Sequence, residues 1–175
     1  MTQTGRVFSL PPVADANSRI LVLGSMPGTA SLAASRYYGH PRNHFWPILY
    51  RLHGADTPHE SYEDRLRFAL AHGFALWDTI ASCEREGSLD ADIRDAAPTD
   101  IPGLLRASPG IRVIVCNGGK SYDTLKKHHG GKEEIESRVV LKLPSTSPIP
   151  TRQHRGLEEK EDTWRQALAP YIVKT

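Results

Sequence analysis

The 175-residue sequence predicts an α/β protein with three layers, αβα, around a central, mainly parallel sheet. Three observations predict it. Arg19–Gly24, Phe74–Thr79, Ile111–Cys116 and Ser137–Leu143 contain short apolar runs of the length expected for buried strands. Segments with helical spacing separate them, and strands that alternate with helices build parallel sheets with right-handed crossovers. Three of the runs end in unusual residues: Gly24-Ser25-Met26-Pro27-Gly28, Trp77-Asp78-Thr79, and Leu143-Pro144-Ser145-Thr146-Ser147-Pro148. In a parallel sheet these ends open on one edge, where such sheets bind ligands.

In chain order, Met1 to Ser18 has Pro11-Pro12 and little periodicity, and reads as a lead-in with one short extended piece. Arg19–Gly24 is the first strand, followed at once by a sharp turn that uses the backbone freedom of glycine and the fixed dihedral of proline. Ala30–Tyr37 is rich in small residues and reads as loop or short helix. His44–His53 is a helix: Phe45, Trp46, Leu49 and Leu52 recur at helical spacing, and Pro47 is tolerated in a first turn. Ser61–His72 is a second helix, with Tyr62, Leu66, Ala69 and Leu70 on one face, and Gly73 stops it. Phe74–Thr79 is the next strand. Ser82–Ala97 is polar and reads as a long connection with a helical turn. Asp100 caps a helix to Ala107. Ile111–Cys116 is the clearest strand; Asn117-Gly118-Gly119-Lys120 turns it into a helix that runs to His128. After the last strand, Gly156–Ala169 closes the chain as an amphipathic helix with Leu157, Trp164 and Leu168 inward.

The length fits one domain, residues 1–175. Hydrophobic content of 39% and charged content of 24% are those of an ordinary globular protein. The two cysteines, Cys83 and Cys116, form no CxxC pair, which argues against a zinc site or an iron–sulfur cluster. The expectation is a cytoplasmic monomer with no membrane segment, no metal and no cofactor. A net charge of +2 neither demands nor excludes nucleic acid. Two local basic clusters, Arg152/His154/Arg155 and Lys126–His129, read first as solvated faces.

Convergence of the three strand ends implies a single pocket. Backbone from Gly24, Ser25, Met26 and Pro27 forms its floor. Tyr37, Tyr38 or Phe45 gives an aromatic wall, Asp78 and Asn43 supply groups that read a polar edge, and the Ser145–Pro148 loop makes the rim. A flat, polar-edged guest such as a nucleobase suits this set. Each residue also has an ordinary reading. Asn43 is a favoured helix N-cap, Tyr37 and Tyr38 pack in cores, Asp78 suits a turn, and His40 can be structural. Ser145 and Ser147 lack a G-x-S-x-G elbow, and Gly118-Gly119-Lys120 lacks the spacing of a phosphate loop.

The first turn, the segment Tyr37-Tyr38-Gly39-His40-Pro41-Arg42-Asn43-His44-Phe45-Trp46 and the Leu143–Pro148 loop together resemble the hypoxanthine-DNA (deoxyinosine) glycosylases of the uracil-DNA glycosylase superfamily. Gly73–Thr79 is similar to that superfamily's middle strand. The resemblance spans Arg19 to Gln153. It implies that Asn43 positions the attacking water, because the place that carries a water-holding Asp or Asn in other branches is Met26 here. It implies that Tyr38 stacks on the base and that Asp78 reads it. It also implies that Ser145, Thr146, Ser147 and Pro148, with Arg152 nearby, grip the DNA backbone, and that the loop fills the gap left by the flipped base. Leu143 stands where several branches have a histidine. The implied partner is DNA containing deaminated bases. The implied reaction is hydrolysis of the N-glycosidic bond of hypoxanthine, with no lysine at a motif position to form a Schiff base. Two alternatives stay open: an enzyme chiefly for uracil or G:T/U mismatches, and a non-catalytic nucleic-acid-binding module on the same fold.

Overall fold

The computed structural model describes residues 6–149 and 156–172. In chain order its elements are β1 (Arg6–Phe8), β2 (Ile20–Gly24), α1 (Thr29–Ala34), α2 (Phe45–Leu52), α3 (Tyr62–Ala71), β3 (Phe74–Asp78), β4 (Ile80–Glu84), β5 (Arg94–Pro98), α4 (Ile101–Ala107), β6 (Val113–Asn117), α5 (Gly119–His129), α6 (Glu133–Glu136), β7 (Val139–Leu143) and α7 (Leu157–Leu168).

The centre is a four-stranded parallel sheet in the order β3-β2-β6-β7. Successive strand residues point to opposite faces, so each strand feeds two cores. Ile20, Val22, Leu76 and Val115 join Phe45, Trp46 and Leu49 of α2 and Trp164 and Leu168 of α7 on one face. Leu21, Leu23, Ile114 and Cys116 join Ile101 and Leu105 of α4, Leu125 of α5 and Ile135 of α6 on the other. Helices cover both faces, which is the predicted three-layer architecture. The two central strands are apolar at nearly every position because neither face meets water.

Local signals set the helix ends. Ser61 Oγ accepts from the Asp64 amide at 3.4 Å at the start of α3, and Asp100 Oδ1 accepts from the Gly103 amide at 3.1 Å at the start of α4. After α3 the chain turns at Gly73 with φ of +80°, a left-handed conformation that favours glycine.

One expectation is corrected. The polar stretch Ser82–Ala97 is not merely a connection. It holds the end of β4, a short 3₁₀ turn at Asp90–Asp92, and β5. With the lead-in strand β1 these form a second, antiparallel sheet in the order β1-β4-β5. Ile80, Cys83 and Ile93 bury its inner face together with Met26. Arg6 ties its outer strands, donating to Asp95 Oδ2 at 3.0 Å and to Ser82 Oγ at 2.9 Å. The short helix α6 was also not expected, and Ala30–Tyr37 resolves into α1 followed by a turn. Among the described residues no helix is long and apolar enough to cross a membrane.

Candidate active site at the carboxyl edge of the sheet

Parallel pairing sets Gly24 opposite Asp78 and Asn117 opposite Leu143, so the carboxyl ends of the four strands share one edge. A cavity of about 570 Å³ opens there, a volume suited to a small ligand. It is lined by Gly24, Ser25, Met26, Pro27, Tyr38, Asn43, Asp78, Ser145, Thr146, Ser147 and Pro148, so most of the expected site residues meet in one place. Arg152 lies outside the described residues.

The floor is the turn after β2. The Gly24 carbonyl accepts from the Thr79 amide at 2.8 Å, the Ser25 carbonyl accepts from the Ile80 amide at 3.1 Å, and the Pro27 carbonyl accepts from the Arg85 guanidinium. In a planar trans peptide the next N–H points the opposite way from the carbonyl. The N–H groups of Ser25, Met26 and Gly28 therefore point away from those buried partners. A loop edge that presents N–H groups attracts negative charge. Gly24 must be glycine for a steric reason: a Cβ there would collide with Asp78 Oδ1 and stand 3.7 Å from the Tyr38 hydroxyl.

Asp78 is 3% exposed, and its Oδ2 has no hydrogen-bond partner among the described residues. Burial pushes its pKa up to about 7; the Arg85 guanidinium pulls it down and the Asp90 carboxylate pushes it up. Arg85 is itself buried, with Nε and Nη1 unpartnered among the described residues. Asp90 is engaged at the rim, where its Oδ1 accepts from Ser25 Oγ at 2.7 Å.

Tyr38 forms the aromatic wall. Its ring stacks on Phe45 at 4.2 Å between centroids, and its backbone is held at φ of +53°, which is rare for a bulky residue. Burial, followed by the nearby Asp78 carboxylate, keeps its hydroxyl protonated well beyond the ordinary tyrosine range. The Asn117 amide lies near enough to lower that pKa a little, yet the hydroxyl makes no hydrogen bond of ordinary geometry among the described residues. Tyr37 also lines the cavity, while its hydroxyl reaches back to the lead-in, donating to the Pro11 carbonyl at 2.6 Å and the Leu10 carbonyl at 3.1 Å. Phe45 lies beneath Tyr38 in the core rather than on the cavity wall.

Asn43 stands one residue before the N-cap position of α2. Its Oδ1 accepts from the Phe45 amide at 2.9 Å, so it satisfies one of the orphan donors of that helix. An amide oxygen has two lone pairs, so this bond leaves one for another donor. The capping reading and the cavity-lining position coexist. His40 also lines the cavity, with its Nδ1 accepting from the Arg42 amide at 3.1 Å.

The rim loop is held from behind. Asn117 brackets Thr146, with Oδ1 accepting from its amide at 2.9 Å and Nδ2 donating to its hydroxyl at 3.0 Å. Asn117 lines the cavity and was missed in the sequence; its signal was a polar side chain closing the most apolar strand. Ile149 and Leu89, 58% and 54% exposed, also line the mouth. Met26 turns its side chain into the core of the small antiparallel sheet.

Comparison with known proteins gives a consistent result. The model of the uracil DNA glycosylase superfamily matches residues 11–168. A hypoxanthine DNA glycosylase of Methanosarcina barkeri is 31% identical, covering 90% of this chain and 95% of that protein. One of Methanosarcina acetivorans is 34% identical, covering 88% and 92%. A solution NMR structure from M. acetivorans, of a protein described as a candidate uracil DNA glycosylase, superposes with a TM-score of 0.76 at 31% identity, covering 92% of this chain and 95% of that one.

Proposed function

Because the chain belongs to the uracil DNA glycosylase superfamily, we propose that it is a monofunctional DNA-deoxyinosine glycosylase, acting as a single-domain monomer in the cytoplasm. Its substrate is DNA containing a deaminated base, chiefly hypoxanthine. The observation that carries this reading is that Asn43, the Ser25–Gly28 turn and the buried Asp78 carboxyl line one cavity, which is roomy enough to admit an extruded base with part of its sugar-phosphate.

A base inside a duplex is out of reach, so it is first extruded, at a cost of a few kcal/mol that is smaller for a poorly paired base. The base enters the cavity and stacks on Tyr38. Ionised Asp78 accepts the N1–H of hypoxanthine, which adenine lacks. The C–N bond then breaks heterolytically: its electron pair leaves with the base, and positive charge develops on the sugar. The turn N–H groups stabilise the departing anion, as donors do in an oxyanion hole. Asn43 Oδ1 holds the water that attacks the sugar carbon; its amide is too weak a base to do more than orient it, and the proton the water sheds passes to the departing base anion, leaving neutral hypoxanthine and an abasic sugar. The Ser145–Pro148 rim grips the backbone, and Arg152 joins it.

The test is incubation of the pure protein with duplexes containing inosine, uracil or xanthine, followed by alkali. Cleavage chiefly at inosine is expected. Intact strands from every duplex refute the assignment, and faster release of uracil than of hypoxanthine reassigns the substrate.

A further inference from the structure

Lys160 is the unexpected residue of the closing helix. It lies in the run Glu158-Glu159-Lys160-Glu161-Asp162, which reads as a solvated face, yet it is 1% exposed. Its Nζ donates to the Ser147 carbonyl at 2.5 Å and lies 3.4 Å from His44 Nδ1. Burial lowers the pKa of both groups, and the ammonium holds the imidazole further down, which favours the neutral His44 whose Nδ1 can accept from Lys160 in the tautomer protonated at Nε2. One turn along, Trp164 Nε1 donates to the Pro144 carbonyl at 2.9 Å. The His44 amide donates to the Thr146 carbonyl at 2.8 Å. Three carbonyls of one rim loop are thus held from α7 and from the start of α2. Lys160 is the side chain that touches both the loop and His44, next in sequence to Asn43.

A buried ammonium is retained at a cost in desolvation, and an apolar side chain of similar volume would fill the space more cheaply. Specific use of its donors is what distinguishes it from such a filler. The donors point at the inner side of the loop, so the cation lies behind the rim.

We propose that Lys160 is a positioning residue that locks the Ser145–Pro148 rim to the start of α2, so that DNA grip and the seat of the Asn43 amide are set by one buried cation. This rests on the glycosylase reading above. A cation behind the loop orders the groups that meet phosphate without neutralising a phosphate, and that separates it from an ordinary DNA-contacting lysine.

The experiment compares wild type, Lys160→Met and Lys160→Arg as full chains. Binding to a duplex carrying a hydrolysis-resistant 2′-fluorinated deoxyinosine is measured across salt concentrations. Single-turnover base release is measured on the ordinary inosine duplex. Lys160→Met is expected to raise Kd and to slow release about tenfold each, the scale of one charge-assisted hydrogen bond. The slope of log Kd against log salt stays at its wild-type value, and Lys160→Arg recovers part of both losses. A slope shallower by about one makes Lys160 a direct phosphate ligand and overturns the proposal. Wild-type Kd and rate with only a lowered Tm makes it structural and overturns it too. Should Lys160→Met not fold, His44→Phe removes the second partner; it should slow release while Kd holds, and a wild-type rate in that variant is likewise fatal. A wild type that releases no base refutes the glycosylase assignment instead, and the binding comparison remains readable.

Discussion

Replacing Asp78 by Asn separates what this residue contributes to the fold from what it contributes to the reaction. Burial raises its pKa from 3.8 to about 7 in the folded protein. The charged and titratable groups around it are Arg85, Asp90, Tyr37 and Tyr38. Below a pH of about 4 the carboxyl is neutral in both folded and unfolded chains and has no effect on the equilibrium. Between about 4 and about 7 only the unfolded chain ionises, so stability falls as pH rises; above about 7 the loss is complete. At roughly 1.36 kcal/mol per pH unit, the full loss is about 4 kcal/mol. D78N removes the charge at constant shape. Its amide brings a new buried donor that costs about 1–3 kcal/mol if unpaired. The net expectation is that D78N is more stable than wild type by about 1–3 kcal/mol at pH about 8, and that the advantage disappears or reverses at pH about 4.5. Urea denaturation at both pH values measures it. The same argument predicts that wild-type hypoxanthine release rises as pH passes about 7 and that the D78N rate lacks this rise. A stability difference that does not change with pH, or equal pH profiles for the two enzymes, refutes the reasoning.

Three further outcomes are expected. Asn43→Ala loses the bond to the Phe45 amide, about 1 kcal/mol of helix capping, and slows base release about 100-fold or more while the duplex still binds; melting and single-turnover assays separate the two effects. Gly24→Ala drives a methyl group into Asp78 Oδ1, which costs about 1–3 kcal/mol and narrows the cavity floor, so both Tm and base release should fall. Ile149→Ala trims an exposed side chain at the mouth; release should slow about tenfold on paired duplex and hold on single-stranded inosine DNA, where no base pair has to open.

How much of this was legible depended on how each residue meets water. β2 and β6 are covered on both faces, so they are apolar at nearly every position and visible as runs. β5 could not be seen that way: Arg94-Asp95-Ala96-Ala97-Pro98 has no strong strand former, and its pairing depends on β4 and, through it, on β1 far back in the chain. Asn43 was visible both as a cap and as a site residue because its one oxygen can serve twice. Asn117 was hidden by the Gly118-Gly119 turn that follows it, although it closes the strand that leads to the cavity. Lys160 was hidden by its acidic neighbours, although it lies four residues before Trp164 on the inward face of α7. Periodicity carried that signal, and charge concealed it.

Met26 explains why, on the proposed mechanism, water handling falls to the start of α2. The turn after β2 puts Met26 at the cavity floor, yet its side chain is 6% exposed and packs with Ile80, Cys83 and Ile93. A carboxylate at that place would lose this apolar packing and would sit on the same floor as Asp78, which burial already makes hard to ionise. Two acids so placed would raise each other's pKa, and the base-reading carboxylate would be neutral at the pH where it has to accept a proton donor. An uncharged amide just before α2 avoids that conflict. It can orient water without adding charge near Asp78, and the bond from the Phe45 amide fixes its orientation before substrate arrives. On the proposed mechanism, the apolar Met26 floor keeps a second acid away from Asp78, and the water is left to Asn43.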